Sequence, residues 1–211
     1  MNDLLAMLES LNRKERFFLV GSALDNKLFS LGSHFRSELE KCAGVSIPAD
    51  AWVAMDYHLD WIAAAVHLET TKSISSSLFD NPGQRIVRGN QEDVDLIVGF
   101  GTPTDTTLIL IEAKGVTAWS KTQMDSKVER LGEIFGTDEF ISSAIKPILV
   151  LTSPKSPTDK LKAKKWPEWM TNDGSPRWMP MSMPKRRQLI RCDENGKSDA
   201  DGQHAKIIER N

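Results

Sequence analysis

The chain predicts an α/β fold: a mixed central sheet flanked by helices, with a helical N-terminal extension. Three stretches carry that prediction. Two apolar, β-branched runs, Val94 to Phe100 and Thr107 to Ile111, flank a Gly-Thr-Pro-Thr-Asp turn and read as a hairpin. Met124, Val128, Leu131 and Phe135 recur at helical spacing within Trp119 to Phe135. Lys146 to Leu151 then forms an apolar run too uniform to face water on one side, as expected for a strand inside a parallel or mixed sheet.

The N-terminal third reads as helical. Asn12 and Glu15 have the spacing of a capping box, and Phe17, Phe18, Ala23 and Leu24 supply an apolar stripe before Asp25-Asn26 ends it. A second helix is expected from Ser33 to Ala43, with Gly44 just beyond its end. From Pro48 or Asp50 to Glu69 the spacing predicts a further helix, on which Asp56 and Asp60, like Tyr57 and Trp61, are i,i+4 neighbours. A Ser-rich loop closed by Asn81-Pro82-Gly83 follows, and Gln84 to Arg88 is expected to make a short strand before the hairpin. After Phe135, Gly136 stops the helix, and a short helical piece is expected before Lys146.

At 211 residues, 40% hydrophobic and 27% charged, the composition describes one globular domain. Its expected parts are a helical extension (1–47), a core (48–151), and a basic, Trp-rich flap with terminal strands (152–211). Cys42 and Cys192 form no paired motif, and no apolar run reaches the length that spans a bilayer, so a cytoplasmic location without membrane contact is expected. His58 and His67 lie nine residues apart and do not have zinc-site spacing.

The net charge of −2 conceals a local bias. Between Lys155 and Arg187, nine basic residues face only Asp159, Glu168 and Asp173, with Trp166, Trp169 and Trp178 among them. Cations beside aromatics suit a nucleic-acid strand. The alternative is that the tryptophans pin a Pro-rich excursion to the body.

The hairpin carries charges where a buried strand should have none. If its strands are antiparallel neighbours, Asp95 at the start of the first lies near Glu112 and Lys114 at the end of the second. Two converging carboxylates repel unless a cation bridges them, and hard oxygen ligands suit Mg²⁺ or Mn²⁺. Such an ion activates water for phosphodiester hydrolysis. Lys114, flanked by carboxylates, is expected to stay protonated and to position water and stabilise charge on phosphate.

Asp95, sixteen intervening residues and then Glu112-Ala113-Lys114, on consecutive strands before a helix and a strand, resemble the PD-(D/E)XK nuclease superfamily. That superfamily includes type II restriction endonucleases and archaeal Holliday-junction resolvases. The resemblance covers residues 50 to 151 and implies a restriction-endonuclease-like αβββαβ core and Mg²⁺-dependent cleavage of DNA. It implies that Asp95 binds metal, that Glu112 is the second acidic ligand and that Lys114 is the catalytic lysine; Val94 stands where the motif's name has proline. It also implies a helix-borne acid, for which Asp60, Asp56 and Glu69 are candidates with Asp60 preferred. Gln123 or Lys127 would serve on the following helix. Nucleic-acid contacts are expected from Lys127, Lys164, Lys165 and Arg186, with DNA the first substrate, RNA the alternative, and a homodimer one means of cutting both strands. Two rival readings are a catalytically inactive member acting as a nucleic-acid-binding or protein-interaction module, and a buried Glu112–Lys114 structural ion pair.

Overall fold

The computed structural model describes residues 2–210 apart from 27, 28, 74, 91, 116–118, 138, 140, 158–160, 162–164 and 185. Asn2 caps the first helix, α1 (Asp3–Leu11): its side-chain oxygen accepts from the Leu5 N–H, and Leu4, Leu5 and Leu8 are buried. The expected capping box at Asn12 does not form. Asn12 closes α1, its side chain accepts from the Lys14 N–H, and α2 (Glu15–Ala23) begins without a side-chain cap. Helix α3 (Ser33–Ala43) runs as its pattern predicts and ends at Gly44, whose φ of 73° is one that a residue with a Cβ rarely adopts.

The largest departure lies between residues 48 and 69, where one helix was expected. Strand β1 (Trp52–His58) comes first, and α4 (Leu59–Thr70) follows directly. Trp52, Val53 and Tyr57 favour a strand locally, but the deciding contact is distant: β1 pairs antiparallel with β2 (Asp93–Thr102), from Trp52↔Gly99 to His58↔Asp93, and so covers its edge. Asp56 and Asp60 therefore belong to different elements, and Asp56 takes a positive φ of 50°.

Gln84 to Arg88 does not make a strand. Pro82–Gln84 is a 3-10 turn, and the Asn81 side chain binds the backbone N–H groups of Ile86 and Val87 and the Val87 carbonyl. Ladder partners are thus replaced by one amide. Strand β2 turns at Pro103-Thr104 into β3 (Asp105–Ala113), paired from Leu96↔Ile111 to Thr102↔Asp105. Helix α5 (Lys121–Phe135), capped by Ser120, leads to β4 (Ile145–Ser153), which runs parallel to β3. The short helix expected after Gly136 is not found among the described residues.

Strands β5 (Thr171–Asn172) and β6 (Ser175–Pro176) form a small hairpin, and β7 (Trp178–Pro180) joins β4 in parallel. The central sheet has the order β1-β2-β3-β4-β7 and is mixed. Its core succession is β1, α4, β2, β3, α5, β4, so the third strand of the core precedes α4 instead of following it at Gln84 to Arg88. Helices α1, α4 and α5 cover one face, with Tyr57, Ile62, Leu110, Leu131 and Leu149 in its core. Helix α3 covers the other through Leu39 and Ala43 against Val98, Ile109, Ile111 and Val150.

Strands β8 (Arg186–Cys192) and β9 (His204–Arg210) make a separate two-stranded sheet. Leu189 and Ile207 face each other across it, and both are exposed. Among the described residues, no helix is long and apolar enough to cross a membrane.

Candidate functional site

The β2–β3 ladder stops one step short of the charged residues. Beyond Leu96↔Ile111, the Ala113 N–H donates to Asp95 Oδ2 at 2.6 Å, so a carboxylate replaces a strand carbonyl as acceptor. Across β2, the ladder also skips the level of Asp56, between Met55↔Leu96 and Tyr57↔Val94. The kink of Asp56 and the side-chain bond of Asp95 thus mark the same end of the sheet.

Asp95 stands close enough to Glu112 to act on it. Glu112 is buried, and burial pushes its carboxyl above the usual glutamate range; Lys127 opposes that shift, Asp95 adds to it and Lys114 also opposes it. Asp95 and Lys114 therefore both lie near Glu112. The Lys114 N–H donates to the Thr152 carbonyl at 2.9 Å, which anchors the residue to β4, while its ammonium has no hydrogen bond or ion pair among the described residues.

Helix α5 supplies the opposite wall. Glu92, Asp93, Glu112 and Lys114 face Ser120, Thr122, Gln123 and Lys127 across a cleft of ≈ 430 Å³. Ser120 caps α5 by accepting from the Gln123 N–H, so the positive end of the helix opens into the cleft. Lys127 Nζ donates to Glu112 Oε2 at 2.5 Å and to the Asp93 carbonyl at 2.6 Å. Only 8% of Lys127 is exposed, so this nucleic-acid-contact candidate is buried and already paired.

The three acids named as candidates for the helix-borne role have other partners. Both Asp60 oxygens already have partners: Oδ1 accepts from Arg130 at 2.8 Å, and Oδ2 from the backbone N–H groups of Arg88 and Gly89. Glu69 pairs with Lys72 at 2.7 Å, and Asp56 with Arg16 at 3.4 Å. Asp93, two residues before Asp95, lines the cleft instead. Its Oδ2 accepts from Lys14 at 2.6 Å, and its buried Oδ1 has no hydrogen-bond partner among the described residues. The Asp-Val-Asp doublet was the available signal, since i,i+2 residues share a strand face. Lys14, also 6.0 Å from the Trp61 ring, carried no comparable signal.

Carboxylate oxygens are the ligand type that Mg²⁺ or Mn²⁺ takes. Asp95 and Glu112 offer hard oxygens in number suited to an ion that keeps several waters, and Asp93, which lines the cleft, has a buried Oδ1 without a hydrogen-bond partner among the described residues. Among the described residues, no three His, Cys, Asp or Glu side chains form a metal-holding group, so the set is two carboxylates rather than a protein cage.

The flap tryptophans are engaged with the body. Trp169 Nε1 donates to the Gly136 carbonyl at 3.0 Å, Trp178 Nε1 to Ser153 at 3.2 Å, and Trp166 packs against the core. Lys165 is exposed, whereas Lys164 and the side chain of Arg186 lie outside the described residues. No family model, curated protein or solved structure matches the chain.

Proposed function

We propose that this protein is a divalent-metal-dependent nuclease that hydrolyses DNA phosphodiester bonds, in restriction, phage defence or repair. The observation that supports this reading is the proximity of Asp95 and Lys114 to Glu112, with Glu112 and Lys114 facing the N-terminal turn of α5 across one open cleft. Asp95 and Glu112 would hold Mg²⁺ or Mn²⁺, which when bound supplies Lewis-acid polarisation and an activated water. Lys114, whose ammonium has no hydrogen bond or ion pair among the described residues, orients the nucleophile and meets negative charge growing on the phosphoryl group. The backbone N–H groups of the first α5 turn and the side chains of Ser120 and Gln123 receive phosphate oxygens. Asp93 fixes the wall through Lys14.

Isothermal calorimetry with MnCl₂ is expected to show binding to the wild-type protein and none to Asp95→Ala. Equal binding by both would remove Asp95 from the site. Lys114→Ala is expected to keep the fold and lose about 10²–10³ in cleavage rate, the usual scale for removing a charge-stabilising group. The Glu112–Lys127 ion pair favours one alternative, an inactive nucleic-acid-binding module of the same architecture. Wild-type protein that binds DNA but leaves linear, branched and single-stranded DNA and RNA uncut with Mn²⁺ would establish that alternative.

A further inference from the structure

Among the described residues, Lys127 is the one α5 side chain that reaches across the cleft to Glu112. Its ammonium sits 2.5 Å from Glu112 Oε2 and 2.6 Å from the Asp93 carbonyl, with 8% of Lys127 and 7% of Glu112 exposed. Beside it, Asp93 keeps Oδ1 buried and without a partner among the described residues, while Oδ2 is held by Lys14. The ammonium thus lies among oxygens of the kind that coordinate a hard cation. A buried glutamate with no cation nearby is costly, so in the metal-free protein Lys127 supplies the missing positive charge.

We propose that Lys127 is a built-in cation surrogate: it neutralises Glu112 until a divalent ion arrives and thereby sets the metal affinity of the site. This rests on the reading of the cleft as a metal site. Lys127 must leave Glu112 Oε2 for that oxygen to ligate, so each binding event includes breaking a buried, charge-assisted hydrogen bond. The freed ammonium then faces the same cleft as Lys114 and Gln123, where a substrate phosphate would meet it. Lys127 is accordingly a positioning residue, acting on the reaction through the occupancy of Glu112.

The sign of one measurement separates this role from a purely structural ion pair. Calorimetric titration of metal-free protein with MnCl₂ is expected to give about tenfold tighter binding for Lys127→Met than for wild type, the equivalent of one charge-assisted hydrogen bond no longer broken on binding. The same variant is expected to melt at a lower temperature without metal and to gain more from saturating Mn²⁺ than wild type does. A structural role would lower both melting temperatures alike. Lys127→Arg keeps the charge and the hydrogen bonds, and is expected to bind Mn²⁺ no more tightly than wild type. It provides the comparison if Lys127→Met does not fold, and tighter binding by it would overturn the proposal. Wild type that binds Mn²⁺ while Lys127→Met binds equally or more weakly would overturn the surrogate role and leave the metal site standing. Absence of binding to wild type and to every variant would overturn both. Binding by Lys127→Met alone would show that the lysine locks the site.

Discussion

Glu112 is the residue on which the chemistry of the cleft turns, because it is both buried and acidic. A carboxyl raised by burial stabilises the fold in its protonated form. That contribution is complete below the unfolded-state value of about 4.3 and is lost as pH rises through the raised folded value. Metal-free wild type is therefore expected to lose stability relative to Glu112→Gln as pH climbs above about 4.3, read from urea unfolding midpoints. Parallel profiles would mean that Glu112 titrates as a solvated acid. Asp95, Glu112 and Lys114 were legible in the sequence because charge inside apolar strands is conspicuous. Asp93 was masked by Asp95 beside it, and the burial of Lys127 was not legible because an apolar seam gives no sign of a charged side chain within it. The Lys127 stem belongs to that buried seam, and its charge is met by acceptors 15 and 34 positions away.

At the scale of elements, α5 is the brace that ties the site to the rest of the fold. Lys127 holds β3 and β2, while Arg130, 1% exposed, holds Asp60 of α4 and the carbonyls of Arg85 and Ile86. Removing one partner of a buried pair strands the other charge, so Asp60→Ala is expected to cost about 3–5 kcal/mol in urea unfolding. Asp60→Ala combined with Arg130→Met is expected to recover part of that loss. Equal losses in the single and double variants would mean that the pair makes no net electrostatic contribution. The hairpin, α3, α5 and β4 were legible because their periods are long and undisturbed. Strand β1 was not, since seven residues ending in Asp-Tyr-His resemble the start of α4 until the edge of β2 is there to pair with. Asn81 misled in a similar way, taking by side chain the bonds that Gln84 to Arg88 were expected to give a strand.

Across the whole molecule, stability is unevenly spread. The central sheet has helices on both faces, whereas β8 and β9 form a separate two-stranded sheet, extended by one bridge from Cys192 to Ser198, and show Leu189 and Ile207 to solvent. Isolated two-stranded ribbons are marginal in water, so their amides are expected to exchange with deuterium by local opening, far faster than those of β2, β3 and β4. Matching protection in the ribbon and the sheet would instead indicate one cooperative unit. The anchorage of Asn2 has a different consequence, in time rather than space. Its amide reaches the Thr102 carbonyl and, at 2.6 Å, the Thr106 hydroxyl, 104 residues further along the chain. At ribosomal rates of about 5–20 residues per second, that partner is synthesised about 5–20 s after Asn2. Through that interval Leu4, Leu5 and Leu8 have no sheet to cover them. Protease pulses on nascent chains of increasing length should find α1 cleavable until the β2–β3 hairpin has cleared the exit tunnel; protection in shorter chains would show that α1 is sheltered by something other than its native partner.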